Sequence, residues 1–94
     1  MERQPLVLLV DDEEDLCTLM QMSLSRMGIK THIAYRLEQA KKCLSDHQYD
    51  ACLTDLNLPD GNGLQLVEWI GQHLPALPVA VLTAYGNMDS QKQL

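Results

Sequence analysis

The stretch Ala51-Cys52-Leu53-Thr54-Asp55-Leu56-Asn57-Leu58-Pro59-Asp60-Gly61-Asn62-Gly63 sets a short apolar, β-prone run against a carboxylate and then a dense cluster of turn formers. Such a run reads as a buried strand with Asp55 at its carboxyl end. Asn57 to Gly63 then reads as a loop, with Gly61 and Gly63 supplying positive φ. The same pattern opens the chain, where Leu6-Val7-Leu8-Leu9-Val10 leads into Asp11-Asp12. That first run has no period-2 alternation, as expected of a central strand covered on both faces. If the two runs are neighbours in one parallel sheet, Asp11, Asp12 and Asp55 converge at its carboxyl edge. Crowded like charges raise one another's pKa unless a cation neutralises them. The cation suited to carboxylates, water and phosphate oxygen is Mg2+, so the pattern points to phosphate chemistry.

Outward from these runs the segments alternate in type. From Glu13 to Met27, Leu16, Leu19, Met20, Leu24 and Met27 recur at helical spacing, and Gly28 follows as a stop signal. Ile29 to Ala34 alternates polar and apolar residues, as a half-buried edge strand does. Leu37, Ala40, Cys43 and Leu44 mark a second helix, with Glu38 and Lys42 as an exposed i,i+4 pair. Leu64, Val67, Ile70 and Leu74 give a third helix its buried stripe, Trp69 lies beside it, and Pro75 and Pro78 close the segment. Val79 to Leu82 is a fourth strand, and Gly86-Asn87 starts a further helix with Asn87 as N-cap and Asp89 in the first turn. The β-α-β-α-β-α-β order predicts an α/β fold, a parallel sheet with helices on both faces.

The 94 residues make a single domain, 1–94. Thirteen Asp and Glu against seven Lys and Arg leave a formal charge of −6, which argues against a nucleic-acid-binding surface. After Met1-Glu2-Arg3-Gln4-Pro5 the apolar run is too short for a signal peptide or a membrane span, so the expectation is a cytoplasmic protein without membrane contact. Cys17, Cys43 and Cys52 form no Cys-x-x-Cys pair and have no His at ligand spacing. They read as small buried thiols. His32, His47 and His73 are dispersed and read as strand or helix-surface residues without a ligand role.

The phrases Val10-Asp11-Asp12-Glu13, Thr54-Asp55-Leu56-Asn57-Leu58-Pro59-Asp60-Gly61 and Leu82-Thr83-Ala84-Tyr85-Gly86 closely resemble the receiver domain of two-component response regulators, and the resemblance spans the whole chain. It implies a flavodoxin-like sheet of order 2-1-3-4-5, of which this chain would hold 2-1-3-4 and be C-terminally incomplete, its fifth strand and fifth helix lying beyond Leu94. It implies that Asp55 is the phosphoacceptor for a sensor histidine kinase, and that Asp11, Asp12, Asp55 and the Asn57 backbone carbonyl hold Mg2+. Thr83 matches the switch hydroxyl, and a family lysine would lie past Leu94. Such a domain is a phosphoacceptor in signalling rather than an enzyme. The phrase Thr83-Ala84-Tyr85-Gly86-Asn87-Met88-Asp89 most resembles receivers of enhancer-binding transcription activators of the type IV pilus or nitrogen-regulation type, which would place DNA contact in a separate output domain.

Plainer readings stand beside this one. Asp12 could be only an N-cap, and Glu14 and Asp15 complement the helix dipole. A magnesium-dependent phosphohydrolase also uses a strand-end aspartate, but with an Asp-x-Asp pair after the first strand where this chain has Asp11-Asp12. A calcium loop over Asp55 to Leu66 fails, because Pro59 takes its fifth position and Leu66 stands where a bidentate Glu is required. A receiver-like interaction module without phosphorylation is the remaining alternative. Lacking a fifth strand, the chain would expose the edge of Val79 to Leu82 and self-associate through it or through the uncovered sheet face.

Overall fold

The computed structural model describes residues 3–82. The strands are β1 (Leu6–Val10), β2 (Lys30–Ala34), β3 (Ala51–Asp55) and β6 (Val79–Leu82), all parallel, in the spatial order β2-β1-β3-β6. This is the expected 2-1-3-4 order, with β2 at one edge and β1 inside the sheet. Between the strands run α1 (Glu14–Arg26), α2 (Leu37–Asp46) and α3 (Gly63–His73). The Asn57 to Gly63 segment is more ordered than a loop. It folds into a small antiparallel hairpin, β4 (Asn57–Leu58) with β5 (Gly61–Asn62), turning at Pro59-Asp60. Pro presets the φ that such a tight turn needs.

Leu8 and Val10 of β1, Ala34 of β2 and Cys52 of β3 pack with Leu37, Ala40 and Leu44 of α2 and with Leu66 and Ile70 of α3. Strand alternation turns Val7 and Leu9 to the opposite face, on the side where α1 lies against β2 and Gln21 Nε2 donates to the Thr31 carbonyl at 3.2 Å. The third helix keeps Ile70 of its expected stripe in the core, with Leu74 packed against it, but differs in its first turns: Gly63 and Leu66 are buried there, while Leu64 points outward at 53% exposure. The capping box explains the shift: Asn62 accepts the Leu64 amide and Gln65 reaches back to the Asn62 amide. That lock sets where the helix begins, and so which residues face the core. In α1 Cys17 is the buried residue, and Leu19 and Met27 of the expected stripe are exposed.

Gly28 ends α1 as the sequence predicts. At φ 82° it is the single left-handed residue among those described, and the Ile29 and Gly28 amides bond the Leu24 and Ser25 carbonyls, the Schellman pattern. Gly61 and Gly63 do not have positive φ, contrary to expectation. They are needed for space. A Cβ on Gly61 would lie 2.8 Å from Leu37 Cδ2, and one on Gly63 would overlap the Asp55 carbonyl oxygen. On α2 the ion pairs are Lys42–Asp46 at 3.2 Å and a looser Lys41–Glu38 at 4.0 Å, so Lys42 reaches forward and not back to Glu38. Cys17 and Cys52 are buried free thiols, with burial pushing them up to about 11 and about 12, and Cys43 is half-buried. Neither buried thiol is poised as a thiolate.

Candidate functional site

The register of the two central strands builds the site. Val10 lies opposite Thr54, so Asp11 comes level with Asp55 at the carboxyl edge of the sheet. The Asp11 amide still donates to the Ala34 carbonyl at 3.0 Å, which extends the β1–β2 ladder through Asp11 and holds its backbone in line. A carboxylate oxygen from each of Asp11, Asp12 and Asp55 lies within 4.8 Å of the others. Asp11 is buried at 3% exposure, Asp12 is exposed and Asp55 is half-buried.

Asp55 is held from several sides. Its Oδ1 accepts the Leu56 amide at 2.8 Å, and its carbonyl accepts the hydroxyl of the fully buried Thr54 at 3.0 Å. The Leu56 carbonyl accepts the Gly63 amide at 2.7 Å, seating the first turn of α3 directly on the Asp55-Leu56 backbone. Among the described residues nothing donates to Asp55 Oδ2, which leaves that oxygen without a hydrogen bond.

Burial pushes the Asp11 carboxyl above the ordinary carboxylate range; the Glu13 amide opposes this, and the charges of Asp55 and Asp12 add to it. Asp11 Oδ1 accepts that Glu13 amide at 3.0 Å. The N-cap reading of Asp12 does not hold, because the N-cap position of α1 is Glu13 and neither its side chain nor that of Asp12 caps the helix. Among the described residues no Lys or Arg forms a salt bridge with any of the three aspartates. A cluster of hard oxygen donors at raised electrostatic cost, without a protein counter-charge, fits a divalent cation of the Mg2+ kind.

Asn57 lies exposed in β4, one residue past Leu56, and Thr83 lies outside the described residues. Asp60, which the sequence suggests is only a turn residue, does more. Its Oδ1 accepts the Leu37 amide at 2.7 Å and its Oδ2 the Glu38 amide at 3.0 Å. Desolvation opposes ionisation there, but those amides and the charge of Arg36 hold the Asp60 carboxyl below its ordinary range. It caps α2 from a distant loop and ties the hairpin after Asp55 to that helix. The available signal is Arg36 at the N-cap position of α2, a residue whose side chain cannot accept from the helix amides.

In open parallel α/β sheets ligands bind outside the carboxyl ends of the strands, which is where this carboxylate cluster lies. Residues 7–94 match the response regulator receiver domain family, and the chain belongs to that family. It is 45% identical over 93 residues to the response regulator protein PilR of Pseudomonas aeruginosa, covering 99% of this chain and 21% of that protein. It is 30% identical over 84 residues to the DNA-binding transcriptional regulator NtrC of Proteus hauseri, covering 89% of this chain and 18% of that protein. The chain thus spans about a fifth of the length of these two relatives. The solution structure of the beryllofluoride-activated NtrC4 receiver domain dimer superposes with a TM-score of 0.81 at 30% identity, covering 89% of this chain and 69% of that one. The chain is therefore a response regulator receiver domain, homologous to enhancer-binding activators. No described helix is long and apolar enough to cross a membrane.

Proposed function

We propose that Asp55 is the phosphoacceptor of this receiver, taking a phosphoryl group from a phosphohistidine of a sensor kinase. The observation that carries this reading is the convergence of the Asp11, Asp12 and Asp55 carboxylate oxygens within 4.8 Å at one sheet edge. With Oδ1 engaged by the Leu56 amide, Oδ2 is the oxygen that attacks phosphorus. A P–O bond forms as the P–N bond breaks, and the imidazole leaves with the electron pair. Asp11, Asp12 and Asp55, with the Asn57 backbone carbonyl, would hold Mg2+, which neutralises charge on the phosphoryl oxygens when bound. Gly63 and Thr54 keep the Asp55 backbone fixed for in-line attack.

Thr83 serves as the switch hydroxyl toward the phosphoryl group, and the hairpin tied to α2 through Asp60 is one route by which the change would spread. The domain works in the cytoplasm and controls a transcriptional output, with DNA contact belonging to another segment. Self-association is part of the reading: the related NtrC4 receiver forms a dimer when beryllofluoride-activated. The test is labelling with acetyl phosphate or beryllofluoride. An adduct on Asp55 that requires Mg2+ and vanishes in Asp55→Asn is the expected result. Phosphate located on Asp11, or on no carboxylate, overturns the assignment.

A further inference from the structure

Dispersed in sequence, His32 and His47 meet at the end of the molecule away from the acidic edge. His32 lies mid-way along β2, His47 is the C-cap of α2, and Tyr49 stands just before β3. The two imidazole centroids are 5.0 Å apart, and the Tyr49 ring lies 5.5 Å from His32 and 6.0 Å from His47. His32 Nδ1 and the Tyr49 hydroxyl share a 2.9 Å hydrogen bond. That bond leaves His32 Nε2 without a hydrogen-bond partner among the described residues, and neither nitrogen of His47 has one. His47 is exposed and lines, with Tyr49, Arg3 and His73, an open cleft of about 780 Å³.

We propose that His32 and His47 together form a binding site for a late first-row divalent cation of the Zn2+ and Cu2+ class, with Tyr49 as the group that orients His32. Two imidazole nitrogens each about 2.0–2.1 Å from one ion, at a tetrahedral angle, place their ring centres roughly 5 Å apart, so the pair is already at chelating separation. The rings stand nearly perpendicular, at 76°. Chelation requires the exposed His47 ring to turn one of its nitrogens toward His32 Nε2, with water completing the coordination. The 2.9 Å contact admits either tautomer of His32; with Nδ1–H donating to the Tyr49 oxygen, Nε2 carries the lone pair, the usual arrangement around a metal-ligating imidazole. Burial, then His47 and Lys30, hold His32 below its ordinary pKa, which favours that neutral form. Asp46, beside His47, is engaged by Lys42 at 3.2 Å and is not needed as a ligand. Imidazole selects late transition ions and carboxylate selects Mg2+, so the two ends of the sheet take different metals.

The experiment is a Cu2+ titration of the chain in saturating Mg2+, followed by NMR of the imidazole resonances. One equivalent is expected to broaden His32 and His47 before His73. His47→Ala, at an exposed position, should weaken binding about tenfold or more, as should His32→Gln, and Tyr49→Phe by less. Unchanged Cu2+ affinity in His47→Ala, or broadening centred on His73 or the acidic edge, overturns the proposal. Neither result bears on phosphorylation of Asp55.

Discussion

Asp11 is the residue on which the electrostatics of the site turn, because it is buried, paired with no protein cation among the described residues, and faces Asp55 and Asp12. A carboxyl whose pKa is higher in the fold than in the unfolded chain holds its proton more tightly when folded. Its stabilising contribution is complete below the ordinary carboxylate pKa and is lost as pH rises through the raised value. At neutral pH without metal, ionised Asp11 therefore opposes folding. Asp11→Asn keeps the acceptor for the Glu13 amide and removes the charge, so thermal unfolding in Mg2+-free buffer should shift upward at neutral pH. The gap should close as pH falls into the ordinary carboxylate range; an equal shift at both pH values would mean that charge is not the cause. Gly63 is the second pivotal residue. A methyl there meets the Asp55 carbonyl, and either α3 or the Asp55 backbone must move. Gly63→Ala should destabilise the fold by about 1–3 kcal/mol, measured by urea unfolding, and displace the Asp55 amide resonance.

At the scale of elements, β1, β3 and β6 were legible as short apolar runs, β2 as the mixed polar and apolar segment after the stop at Gly28, and the helices because their termini carry signals such as Gly28. The first turn of α3 was not, since Leu64 shares a helical stripe with Val67, Ile70 and Leu74 as readily as Leu66 does with Ile70 and Leu74. The choice is made by the Asn62–Gln65 capping box, a motif that precedes the apolar residues. The convergence of Asp11, Asp12 and Asp55 at one sheet edge was legible from the strand ends. The long-range cap was not, because Asp60 lies far along the chain from the Leu37 and Glu38 amides it accepts and reads locally as a turn residue. The meeting of His32 with His47 escaped for the same reason: one sits on a strand and the other past a helix, and only the packing of α2 on the sheet joins them. Asp60→Ala strips the first turn of α2 of two acceptors while leaving the turn formers Pro59 and Gly61 in place. Faster amide exchange at Leu37 and Glu38 and a lower melting temperature should follow. Unaltered exchange there would show that water serves as well as the carboxylate.

For the whole molecule, the acidic edge and the core are coupled through β1 and β3, which carry Asp11 and Asp55 at their ends and Leu8, Val10 and Cys52 in the core. A cation held between those strand ends binds the folded arrangement, because unfolding separates Asp11 from Asp55 and disperses the three carboxylates. Binding to the native state alone raises stability by about 2.7 kcal/mol when the free ligand is a hundred times its Kd. Mg2+ should therefore raise the unfolding midpoint progressively with concentration, and more at neutral pH than in acid, where protonated Asp11 no longer needs a counter-charge. Asp12→Asn removes the charge of a proposed ligand at an exposed position without breaking a hydrogen bond of the fold, so it should raise the metal-free midpoint only slightly, by relieving its repulsion with Asp11, while flattening the response to Mg2+. Urea titrations at a series of Mg2+ concentrations measure both quantities. An Asp12→Asn chain that gains as much stability from Mg2+ as the parent would place the cation elsewhere and take Asp12 out of the site.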